Sequence, residues 1–125
     1  MQTYKAILID AKTETVSEVT VPSRGFVNAA NLLIGSDCYT CGPRLGNGDG
    51  VLVDDEGLLT LTPETKFFLF GSYPQPLAGN GLVVGCNMSD GETKDVESTV
   101  AEIESKVDFL TLAQVQRGIA RGLWS

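Results

Sequence analysis

Hydrophobic and polar positions change rhythm several times along the chain. Residues 4–10, Tyr-Lys-Ala-Ile-Leu-Ile-Asp, are a short apolar run, the pattern of a buried strand. After the polar connection Ala11-Lys12-Thr13, residues 14–21 alternate and are rich in β-branched side chains, which predicts a second strand pairing back as a hairpin. Pro22-Ser23-Arg24-Gly25 interrupts the sheet. Apolar residues at 26, 27, 29, 30, 33 and 34 then fit one short helix, with Gly35 as its stop. Further strands are predicted over 38–45, 51–54, 58–61, 67–71 and 82–86. Between them lie the turn signals Gly46-Asn47-Gly48-Asp49-Gly50 and Asp55-Glu56-Gly57, with Ser89-Asp90-Gly91 after the last. The segment from Ser72 to Gly81 holds Pro74, Pro76, Gly79 and Gly81, and reads as a shaped loop.

The period changes after Asp95. Thr99-Val100-Ala101-Glu102 and Thr111-Leu112-Ala113-Gln114 are capping boxes, in which two side chains satisfy orphan backbone donors reciprocally. Val100, Ile103, Val107 and Leu110 follow the first at helical spacing. Leu112, Val115, Ile119 and Leu123 follow the second, with Trp124 at the tail. Two amphipathic helices so closely joined predict a helical hairpin or a sharp bend. The expected fold is therefore α+β: an antiparallel β-sheet with one short helix, followed by two C-terminal amphipathic helices. One domain spans 1–125, with a β-rich core over 1–90 and a helical part over 96–125.

Composition narrows the function. At 42% hydrophobic and 20% charged, the chain can bury a core. Sixteen acids against nine bases give a charge of −7, which disfavours binding to long nucleic acids. The absence of His removes Ser-His-Asp and Cys-His arrangements and every His-containing zinc site. No basic segment followed by a long apolar one opens the chain, and no apolar stretch is long enough to span a bilayer. Cys38, Cys41 and Cys86 are an odd count, read as reduced thiols in a cytoplasm. Cys38-Tyr39-Thr40-Cys41 has the C-x-x-C spacing but falls in a strand-like stretch, with too few partners for zinc.

Four constellations remain. Asn47-Gly48-Asp49-Gly50 lacks the Lys-Ser/Thr of a phosphate loop and reads as a hairpin turn. Asp54-Asp55-Glu56 suggests a divalent ion, yet neighbours on a strand point to opposite faces, so a solvated turn is preferred. The loop from Phe70 to Gly81 has two readings. It is a tightly folded structural loop, or it is a binding loop stiffened by Pro and opened by Gly, with aromatics to stack on a base and Asn80 to read an edge. Arg117 and Arg121, four apart on the last helix, form a pair of guanidinium forks suited to a phosphate, or else complement the helix dipole. Gly118 and Gly122 beside them invite close packing, for instance of a symmetry mate.

Several stretches resemble a small domain family common in phages and mobile elements, much of it without an assigned function. They are Leu33-Ile34-Gly35-Ser36-Asp37, Asn47-Gly48-Asp49, Val53-Asp54-Asp55-Glu56-Gly57-Leu58-Leu59 and Pro74-Gln75-Pro76-Leu77-Ala78-Gly79-Asn80-Gly81-Leu82-Val83-Val84-Gly85. The chain is also similar to the phage anti-Thoeris sponge proteins. That resemblance implies an antiparallel sheet followed by C-terminal helices, and a homo-oligomer, a dimer or higher. It implies sequestration of the cyclic ADP-ribose signal made by bacterial TIR-domain enzymes, with cyclic oligonucleotides held at a separate site in some members. It assigns ligand binding to Phe70, Asn80, Arg117 and Arg121.

The expectation is a phage anti-defence protein acting in the host bacterial cytoplasm. It binds a small phosphorylated cyclic nucleotide-like ligand without cleaving it. It needs no cofactor, metal, membrane or long nucleic acid, and it is not an enzyme. The alternative is an acidic protein–protein inhibitor of a host defence nuclease or CRISPR complex. Nine acids against two lysines between Asp49 and Glu97 suit charge mimicry.

Overall fold

The computed structural model describes residues 2–55, 63–71, 73–86 and 92–122. It is a mixed α+β structure with two sheets and three helices. The elements run β1 (Thr3–Asp10), β2 (Thr15–Pro22), α1 (Phe26–Ile34), β3 (Tyr39–Arg44), β4 (Gly50–Asp54), β5 (Lys66–Phe70), β6 (Leu77–Ala78), β7 (Gly81–Cys86), β8 (Thr93–Lys94), α2 (Val100–Glu104), β9 (Val107–Thr111) and α3 (Leu112–Ala120). The larger sheet has the order β2-β1-β7-β4-β3, with β8 also paired to β7. The smaller has the order β6-β5-β9. Every pairing among the described residues is antiparallel.

The period of two along each strand sorts side chains into layers. In the larger sheet Ala6, Leu52, Leu82 and Val84 face one way and pack under Ala30 and Ile34 of α1. Ile7, Ile9, Val51, Val53 and Val83 face the other way, onto Phe68 and Phe70 of β5 and Ile103 of α2. The small sheet is likewise two-faced: Phe67 turns from Phe68 to meet Val115 of α3, with Leu110 and Leu112 packed alongside. The Leu82-Val83-Val84 run lacks polar alternation because β7 lies between β1 and β4 with both faces covered. Each large buried side chain contributes roughly 1.5–3 kcal/mol relative to exposure.

The first helix ends as its sequence predicts: Gly35 is left-handed at φ 81, and its N–H and that of Ser36 both reach the Asn31 carbonyl. Both capping boxes are formed, at Thr99 with Glu102 and at Thr111 with Gln114. Two C-terminal helices are present, but the first is shorter than the helical period through Val107 and Leu110 implies. After Glu104 the chain leaves the helix, and Val107–Thr111 becomes β9, in register with β5 from Lys66↔Thr111 to Phe70↔Val107. Val107 and Phe109 then reach the core between the sheets, while Leu110 reaches the α3 side. The open edge of β5 offers backbone partners that an isolated helical turn lacks. The strand expected over 58–61, the turn at 89–91, and Leu123 and Trp124 lie outside the described residues. No helix among those described is long and apolar enough to cross a membrane.

Candidate functional site

Two surface cavities among the described residues bear on the candidate side chains. The larger, about 570 Å³, lies where three segments meet. The end of β3 and the turn after it give Pro43, Arg44, Leu45, Gly46 and Asn47. The end of β5 and the loop beyond give Phe70, Gly71, Tyr73 and Pro74. The α2 region gives Ser98, Glu102 and Lys106.

Two ties hold these walls. Asp49, fully buried, accepts the N–H groups of Glu97 and Ser98 at 3.0 and 2.9 Å and the Ser98 hydroxyl at 2.7 Å. That joins the β3–β4 turn to the segment entering α2. Gly71 N–H donates to the Lys106 carbonyl at 2.7 Å, joining the loop to the α2–β9 junction. Within the turn, Leu45 N–H reaches the Asp49 carbonyl and Gly48 N–H the Leu45 carbonyl. The residues 46–50 do turn a hairpin, but one whose carboxylate points inward rather than to solvent.

The lining is chemically divided. Arg44 and Lys106 are exposed cations with no ion pair among the described residues. Glu102 is committed to its capping box, its Oε1 accepting Thr99 N–H. Phe70 is buried and gives an apolar wall, while Tyr73 lies exposed at the lip. A pair of cations beside an aromatic surface suits a small anion that carries a ring.

The four residues singled out from the resemblance do not share one place. Phe70 lines the larger cavity but is also a core residue between the sheets. Asn80 lines the second cavity, about 340 Å³, alongside Lys12, Asp54, Glu64 and Lys66. There its Oδ1 accepts Ala11 N–H at 3.0 Å and its Nδ2 donates to the Leu33 carbonyl at 3.2 Å, tying the β1–β2 turn to α1. Arg117 and Arg121 are exposed on and just beyond α3, which buries Val115 and Gly118, and they line neither cavity. Gly118 packs inward within the chain.

Arg44, Lys106 and Asn47 carry the larger cavity's polar chemistry; the sequence pattern marks only Asn47, and that as part of a hairpin turn. Arg44 ends a strand and Lys106 follows a short helix; nothing local marks either as converging on Tyr73. Cys38 and Cys41 are exposed and Cys86 is half-buried, and none of the three is in a disulfide. Among the described residues no three Cys, Asp or Glu side chains gather as a metal site requires. Comparison with protein-family models, curated proteins and solved structures gives no match.

Proposed function

We propose that the protein binds a small phosphorylated, cyclic nucleotide-like signal in the larger cavity and sequesters it intact, serving a phage as an anti-defence protein. The observation that carries this reading is the meeting of Arg44 and Lys106 with Phe70 and Tyr73 around one cavity of about 570 Å³. That volume lies within the range of small-molecule sites, roughly 300–1,000 Å³. The cations meet the phosphates, the aromatics meet the base, and the ties through Asp49 and Gly71 keep the walls in place before the ligand arrives. A cyclic ADP-ribose isomer is the ligand that the resemblance favours.

Native mass spectrometry with cyclic ADP-ribose isomers tests ligand and oligomer together. Substituting Arg44 and Lys106 by Ala should weaken binding about 10- to 100-fold, the loss of one or two charge-assisted hydrogen bonds. Loss of binding on R117A/R121A instead would move the site to α3. Recovery of a cleaved product after denaturation would make the protein an enzyme.

A second reading, an acidic inhibitor of a host nuclease or CRISPR complex, has the exposed Asp55, Glu64, Glu92, Asp95 and Glu97 in its favour. A stoichiometric protein partner drawn from host lysate, without a copurifying nucleotide, would support it.

A further inference from the structure

The floor of the larger cavity has a hydrogen-bond polarity set by one buried group. Ser98, at 5% exposure, is buried beside Phe70 in the cavity lining, whereas Asn47, Arg44 and Lys106 are exposed around it. Behind Ser98 sits Asp49, at 0% exposure. A carboxylate can only accept, so the single Ser98 hydroxyl proton is directed into Asp49 Oδ2 at 2.7 Å. Ser98 Oγ in turn accepts from Asn47 Nδ2 at 3.0 Å. Asn47 Oδ1 accepts the Asp49 N–H at 3.0 Å, which fixes which end of that amide is oxygen. The ring of bonds runs Asp49 to Asn47 to Ser98 and back to Asp49, and its direction follows from the carboxylate.

Two capacities are left over among the described residues. Ser98 keeps an acceptor lone pair, and Asn47 keeps one amide hydrogen. An acceptor beside a donor matches a hydroxyl, which donates and accepts at once. It matches the paired hydroxyls of a sugar better still. A phosphate oxygen, which only accepts, could use Asn47 but not Ser98.

We infer that Asp49 is a positioning residue that makes this floor a sugar-hydroxyl site, so that the cavity takes a sugar phosphate or nucleotide with its phosphate at the Arg44–Lys106 mouth and its sugar hydroxyls on Ser98 and Asn47. The inference rests on the ligand reading above and adds the orientation and the discrimination. A ligand lacking the hydroxyls leaves the floor unpaired and binds more weakly.

The test is an NMR titration of the full chain with adenosine 5′-monophosphate, 2′,3′-dideoxyadenosine 5′-monophosphate and inorganic phosphate. The wild type should bind the ribonucleotide about tenfold more tightly than the dideoxy compound, the worth of one net neutral hydrogen bond or two. In D49A the Ser98 hydroxyl loses its acceptor and its proton is free to turn into the cavity; the ratio should fall toward one while inorganic phosphate binds as before. Should D49A fail to fold, S98A carries the test, because it leaves both backbone N–H groups on Asp49. S98A should also level the two nucleotides. Equal, R44A-sensitive binding of both nucleotides by the wild type overturns this inference alone, as does a ratio that survives S98A. Absence of any R44A-sensitive nucleotide binding overturns the ligand reading along with it.

Discussion

Asn80 offers a direct contest between a ligand contact and a structural tie. In the structure its amide bridges two elements distant in sequence: Oδ1 takes the N–H of Ala11, and Nδ2 gives to the carbonyl of Leu33. Ala11 is 1% exposed, so Asn80→Ala strands a buried donor, and Leu33 is half-buried, where water can partly replace the lost bond. A stranded buried donor costs about 1–3 kcal/mol and the half-solvated carbonyl roughly 0.5–1 kcal/mol, together about 1.5–4 kcal/mol. For a domain of this size each kcal/mol moves the melting midpoint by about 3–5 °C, so Tm should fall by roughly 5–20 °C. Urea unfolding followed by circular dichroism should show a lower midpoint with an unchanged slope, the mark of lost stability rather than altered compactness. N80D keeps the acceptor for Ala11 but sets an oxygen against the Leu33 carbonyl, and should be no more stable than N80A. Nucleotide affinity at the larger cavity should stay within a factor of about two, well under the tenfold that 1.4 kcal/mol represents. An N80A protein with wild-type Tm and abolished nucleotide binding would refute the reasoning and return Asn80 to the ligand.

Three further outcomes follow from local geometry. A Cβ at Gly85 would overlap the Asp95 carbonyl, so G85A should part β7 from β8 and cost about 2 kcal/mol or more in chemical denaturation. Glu14 holds the left-handed region at φ 57 in the β1–β2 turn, and E14G should raise stability by about 0.5–1 kcal/mol in the same assay. Two groups make the fold lose stability at alkaline pH. Burial, helped by the nearby Cys38, raises the Tyr39 phenol above its ordinary 10.0, and the hydrogen bond and charge of Glu97 raise Lys94 above 10.5. In both cases the folded state holds the proton more tightly. Their contributions are complete below those ordinary values and are lost as pH rises through the folded ones, so Tm should decline above about pH 10 and recover in part in the double variant Y39F/K94M.

Much of the fold was legible from local pattern. The apolar run at 4–10 and the alternation at 14–21 match β1 and β2 to within a residue at each end, and Gly35 ended α1 because a left-handed stop suits glycine. The capping boxes at Thr99 and Thr111 formed as written. The segment at 107–111 misled because Val107 and Leu110 fit a helical period and, with Phe109, equally fit a strand; pairing with β5 decided between them. The candidate site was less legible. Phe70 lines the larger cavity, and Tyr73 falls within the loop that sequence reading had marked, since its prolines and glycines are a local signal. Arg117 and Arg121 show how little helical spacing says about convergence: Arg117 sits in the last turn of α3 and Arg121 at its cap, and neither lines a cavity.

The sequence by itself determined an α+β chain with a β-rich body, one early helix, two capped late helices and an acidic charge balance. Those properties follow from spacing and composition, which act within a few residues or over the whole surface. The tertiary structure alone decided that Asp49, fully polar and set among glycines, would be buried, because its three donors come from Glu97 and Ser98, nearly fifty residues on. It decided likewise that Arg44 and Lys106 would face one cavity while Asn80 braces another. Hydrogen-bond and charge partners so distant in the chain are chosen by the packing of sheets and helices, and no local pattern records them.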